Sequence, residues 1–138
     1  MTADQIIKHL DLLPHPEGGH YRQTWVAENG GRPTGTCIYF LLKAGERSHW
    51  HKVDATEIWL FHAGAPLVLT TASTEAGPAQ AHVLTPDLSK GAPQHIVPPN
   101  HWQAATTTGD FTLVSCTVSP GFSFDGFTLA LPDMVIPN

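Results

Sequence analysis

Glycine and proline interrupt this chain too often for long helices. The sequence holds twelve of each. Between the breaks run short stretches rich in β-branched and aromatic residues. Proline lacks the N–H that a helix interior uses, and glycine frees the backbone for tight turns. Turn signals recur about every 6–12 residues, as in a fold of short strands. The spacing predicts strands over 20–26, 36–42, 49–53, 56–62, 67–73, 81–85, 94–98, 101–107 and 111–119. Strands of this length and rhythm build an all-β sandwich or barrel.

The N-terminus departs from that rhythm. "TADQ" has the form of a capping box, with Thr2 as N-cap and Gln5 three residues on. Ile6, Ile7 and Leu10 then share one helical face, and the helix ends by Pro14. That apolar face needs a cover, from the β-structure or from a second subunit. "PHPEGG" follows as a rigid loop with two glycines for tight turning.

Length and charge narrow the classes. A chain of 138 residues is expected to form one domain, 1–138, with one core. Charged residues make up 14% and apolar ones 41%, a globular balance. The net charge of −5 argues against nucleic-acid binding, which needs a basic surface. No apolar run is long enough for a membrane span. The charged N-terminus lacks a secretory pattern, and two cysteines make no disulfide framework, so a cytoplasmic protein is expected. Cys37 and Cys116 sit in apolar runs and read as buried small hydrophobes.

The chemistry concentrates in "GERSHWHKVDATEIWLFHAG", residues 45–64. Side chains on a strand alternate faces, so His49 and His51 are expected to point the same way, with Trp50 opposite. A hairpin can bring Glu57 against that pair. Two imidazoles and a carboxylate would suit Fe(II), Mn(II), Zn(II) or Ni(II). In a water-poor interior the same groups would have shifted pKa values and serve acid–base chemistry. His62 is out of phase with Glu57 and is expected to face away. Trp50, Trp59 and Trp102 read as packing residues, Phe122 and Phe124 as core, and the histidines at 9, 15, 82 and 95 as exposed.

Longer blocks carry a family resemblance. "LPHPEGGHYRQTW", "IYFLLKAGERSHWHKVDATEIWLFHAGAPLVL", "GAPQHIVPPNHWQAA" and "VSCTVSPGFSFDGF" resemble the blocks of the cupin-5 (DUF985) family of the cupin superfamily. Gly45, His49, His51, Glu57 and Gly64 resemble the first cupin signature. Pro98 and Pro99 resemble the second, with Asn100 at its glycine and Gln103 where a third metal histidine would stand. His20 replaces a frequent tyrosine and Gln23 a frequent glutamate of the family, which bears on the pocket rim.

The resemblance implies a double-stranded β-helix, the cupin jelly-roll barrel, with kinship to sugar-nucleotide epimerases and a homodimer. It places His51, Glu57 and Gln103 in the pocket, with Glu17 on the matching "PEGG" loop. It implies no particular reaction. The expected partner is a small-molecule substrate. The metal set, if there is one, is His49, His51, Glu57 and Gln103, with the neutral amide of Gln103 a weak ligand. Three readings stay open. One is an isomerase or epimerase-like enzyme, with His51 and Glu57 as the acid–base pair and Tyr39 as opposing proton donor. Here Arg22 would hold a substrate carboxylate or phosphate, with Glu17 and Gln103 as further substrate contacts. The others are an iron-dependent oxygenase on His49, His51 and Glu57, and a binding module without turnover.

Overall fold

The computed structural model describes residues 1–138. A helix, α1 (Ala3–His9), opens the chain, with the capping box at Thr2 and Gln5 closed in both directions. Eleven strands follow: β1 (Leu13–Pro14), β2 (His20–Val26), β3 (Thr36–Lys43), β4 (Arg47–Val53), β5 (Thr56–Gly64), β6 (Leu67–Ala72), β7 (Gln80–Leu84), β8 (Gln94–Val97), β9 (Trp102–Thr107), β10 (Phe111–Ser119) and β11 (Phe127–Leu129). All nine predicted strands are present, within a few residues at their ends. β1 and β11 are too short to announce themselves in the sequence. No helix is long and apolar enough to cross a membrane.

The strands form two antiparallel sheets. One runs β1-β2-β3-β10-β5-β8 and the other β11-β4-β9-β6-β7. Side chains of both fill the space between them: Phe40, Leu42, Trp59 and Val114 from the first meet Leu67, Leu69 and Ala105 from the second. This apolar plug occupies one end of the sandwich. Toward the other end the inward positions of β2, β3, β4, β5 and β10 line a cavity.

The expected closed barrel is not found, because no ladder joins the edges of the two sheets. At the β7/β8 seam a single bridge pairs Leu84 with Ala92. Pro93, Pro98 and Pro99 flank β8 without N–H groups, which leaves it four residues long and unable to stitch along β7. His82 and His95, expected to be exposed, instead stack across this seam with ring centroids 3.9 Å apart. Burial lowers the pKa of both, and in His95 the neighbouring His82 adds to it.

The helix needs no second subunit to cover it. Ile6 packs with Leu12 and Leu41 on the outer face of β3, and Tyr39 lies at the edge of that cluster. The loop 15–19 straps the first sheet to β4. The N–H of His49 donates to the carbonyl of Glu17 at 2.8 Å, and the Ser48 hydroxyl donates to the Glu17 carboxyl. The loop lies this close only because Gly18 has no side chain. Its φ is +112°, and a Cβ there would collide with the carbonyl of Arg47. Asn100, at the signature's glycine, likewise takes a left-handed φ of +65°, which asparagine tolerates better than most residues.

Gly18→Ala is expected to lower stability by about 2–3 kcal/mol, through a forbidden φ and the clash with β4. Gly31→Ala, where a methyl meets open space, should change it by less than about 0.5 kcal/mol. Denaturant midpoints of the two variants measure the difference.

Candidate active site

The cavity between the sheets measures about 160 Å³. Its polar wall is made by His15, Glu17, His51 and Glu57, and its apolar wall includes Ile38, Val53 and Val118. Tyr21, Phe122 and Phe124 bring aromatic rings to it.

Glu57 sits at the floor, 6% exposed. Its position follows from a chain of buried hydrogen bonds. The indole N–H of Trp59 donates to Gln103 Oε1 at 2.7 Å, and Gln103 Nε2 donates to Glu57 Oε1 at 3.0 Å. An indole can only donate, so it dictates which way the amide faces. Burial is the main cause that raises Glu57 to a pKa of about 7; Glu17 adds to it, while His51, Gln103 and Cys116 oppose it. Burial thus makes the carboxyl of Glu57 far easier to protonate than an exposed one.

His51 is 1% exposed, and its Nδ1–H donates to the carbonyl of His49 at 2.8 Å. A carbonyl only accepts, so the proton is on Nδ1 and the lone pair is on Nε2. Nε2 makes no hydrogen bond and lies 3.6 Å from Glu17 Oε1. Burial lowers the His51 pKa, against the opposing pull of Glu57. The ring is therefore a neutral base with its lone pair toward the cavity.

Glu17 comes from the strap loop and is nearly as buried, its side chain 9% exposed. Burial raises its pKa to about 8, against the hydrogen bond from Ser48. It is predominantly a neutral acid at pH 7. His15, expected at the surface, instead lines the cavity 3.3 Å from Glu17 Oε1. The Glu17 N–H donates to its Nδ1 at 3.1 Å, and burial, then His51, lower its pKa to about 4. A histidine between two prolines, two residues before the loop glutamate, was the available signal. Tyr21 was also missed. It pairs with inward-facing Phe40, a register that the sequence does not display.

Several expected site residues lie elsewhere. Tyr39 and Arg22 pair with each other on the outer face of the first sheet, and neither reaches the cavity. His62 is also outside, bonded to Ser115, as its parity predicts. Phe124, read as core, is 55% exposed at the cavity mouth. Gln23 does line the cavity. Cys116 lies beside Glu57, and burial, then Glu57 and Glu17, push its thiol well up, so it is no nucleophile at neutral pH.

His49 is the main correction. β4 pairs with β9 through Ser48↔Ala105 and His51↔Gln103, so two residues, His49 and Trp50, stand opposite one. This bulge flips the parity between His49 and His51. Ser48 and His51 face inward, while His49 Nε2–H donates to the carbonyl of Leu131 at 2.8 Å. The expected metal set thus fails on its donors. His49 is turned away, and the Gln103 oxygen is taken by Trp59. No three His, Cys, Asp or Glu side chains are grouped so as to hold a metal ion.

The chain matches solved structures over nearly its whole length. It is 40% identical to a protein of Shewanella oneidensis, with a TM-score of 0.88, over 94% of this chain and 85% of that one. It is 28% identical to a hypothetical protein from Leishmania major, with a TM-score of 0.86, over 97% and 90% of the two chains. Oxalate decarboxylase from Bacillus subtilis shares the fold at 15% identity and a TM-score of 0.65, over 84% of this chain but 29% of that enzyme. No curated protein matches the sequence. The family described as Cupin superfamily (DUF985) matches residues 4–130, and the chain belongs to that family.

Proposed function

We propose that this protein is a small-molecule enzyme that moves protons beside a carbonyl group, as isomerases and epimerases do. One observation carries the reading. A neutral imidazole with a bare lone pair, His51 Nε2, stands 3.6 Å from the carboxyl of Glu17 inside a buried cavity. A base and an acid in reach of one small molecule are what an enolisation needs.

In this reading His51 Nε2 takes the proton from the carbon next to the carbonyl. Glu17 gives its own proton to the carbonyl oxygen, so the substrate becomes an enol without an exposed anionic charge. Where the deprotonated carbon carries a hydroxyl, return of the proton from His51 to the former carbonyl carbon, with that hydroxyl's proton passing to Glu17, moves the carbonyl and completes an isomerisation. The low polarity of the walls keeps each group near the protonation state that the step requires. Tyr39 has no part, and the acid role expected of it passes to Glu17. Arg22 has no part either. The residues present do not compose the expected metal site, so each step is assigned to these side chains.

His51→Gln is expected to lower turnover by about 10²–10⁴-fold, while Tyr39→Phe and Arg22→Ala remain within about twofold of the parent. Deuterium uptake from D₂O at the carbon next to the carbonyl, followed by NMR over a panel of ketoses, aldoses and amino ketones, measures this. Uptake that survives His51→Gln, or no uptake with any compound, refutes the reading.

The pH profile is a second check. Glu17 must be protonated, so the rate should fall as pH rises past about 8. His51 must be neutral, so the rate should also fall at low pH, with the acid limb below the usual histidine value of 6.5. In Glu17→Gln the alkaline limb should disappear from the residual rate. An acid limb above 6.5 would contradict the assignment of His51 as the buried base.

A further inference from the structure

The cavity has acids but no permanent cation. The chain's lysines and arginines number seven, and none lines it. Arg22 is exposed on the outer face of the first sheet. Arg32 is bound to Asp54 through two hydrogen bonds, at 2.7 and 3.0 Å. Arg47 points to the carbonyl of Pro132. Against this stand two carboxyl side chains, each more than nine-tenths buried.

Two polar side chains on that wall face the cavity. His51, 1% exposed, presents Nε2 to the cavity without a hydrogen-bond partner. Glu17 Oε1 has only the two imidazoles near it, at 3.3 and 3.6 Å. Lone pairs that open into a cavity suit a ligand that donates hydrogen bonds. The rings of Tyr21, Phe122 and Phe124 also line the cavity. Aromatic faces attract cations and tolerate apolar bodies, and they do not favour anions. The volume, about 160 Å³, is close to that of cavities that hold one benzene ring, about 150 Å³. A sugar nucleotide is several times larger, and its phosphates would stand beside two carboxyls with no arginine or lysine to meet them.

We propose that the pocket takes a small organic cation: an ammonium group seated between Glu17 and Glu57, on a body no larger than about one ring, lying against Tyr21, Phe122 and Phe124. The inference rests on this cavity being the reactive site, and it names the substrate class as a small amine bearing a carbonyl, such as an amino ketone. Glu57 supplies the counter-charge that the chain otherwise lacks in this place, and Glu17, which keeps its proton for the carbonyl oxygen, accepts a hydrogen bond from the ammonium. His51 Nε2 is left free to take the proton from carbon.

Three probes of one shape and different charge test it on the full-length protein: benzylamine, benzyl alcohol and benzoate, by titration calorimetry at pH 7. Benzylamine should bind at least about tenfold more tightly than benzyl alcohol, and benzoate more weakly than both. Glu57→Gln should reduce the preference for the amine while benzyl alcohol still binds, which also reports that the pocket is intact. Benzoate binding as tightly as benzylamine, no benzylamine binding, or an amine preference unchanged in Glu57→Gln would overturn the proposal. The two readings fail separately. Deuterium uptake into neutral sugars without amine binding keeps the proton-transfer enzyme and rejects the cation. Amine binding without uptake into any compound keeps the cation and rejects the enzyme.

Discussion

The chain of hydrogen bonds from Trp59 through Gln103 to Glu57 holds the two sheets together at the point where core becomes cavity. Trp59 and Glu57 belong to β5, and Gln103 to β9 in the facing sheet. A carboxyl in a water-poor interior is costly unless its oxygens are occupied or it takes a proton. Here both occur: the amide fills one oxygen, and burial raises the pKa to about 7. The indole in turn occupies the amide oxygen and so removes it from the set of possible metal ligands.

The other carboxyl reaches the cavity by a different route. Glu17 sits on a loop rather than a strand, and three contacts with β4 hold it: a backbone hydrogen bond, the Ser48 hydroxyl and the side-chain-free approach of Gly18. The strap therefore has two functions. It bridges sheets whose edges are not joined by a ladder, and it carries an acid to the base on the neighbouring strand. His15 follows from the same geometry, since it shares the loop with Glu17.

Much of the fold was legible. The strand stretches, the capping box and the turn glycines depend on interactions within a few residues, so a local pattern reports them. His51 and Glu57 were legible for the same reason, because strand parity and a short turn place them. The resemblance to the family added Gln103 and the glutamate of the loop. Tyr39 was misplaced because a central strand has two faces, and the sequence of β3 is apolar on both. Its partner register with β2 puts Arg22 and Tyr39 outside and Tyr21 and Phe40 inside.

By itself the sequence determined the rhythm of short strands, the helix at the start, and the nearness of His51 to Glu57. All of these follow from bonds and side chains near one another along the chain. Only the tertiary structure decided that His49 leaves the site and that His15 enters it. A bulge exists only relative to the strand opposite. β4 has one residue more than β9 between two paired positions, and that count turns an H-x-H pair on one face into one histidine inside and one outside.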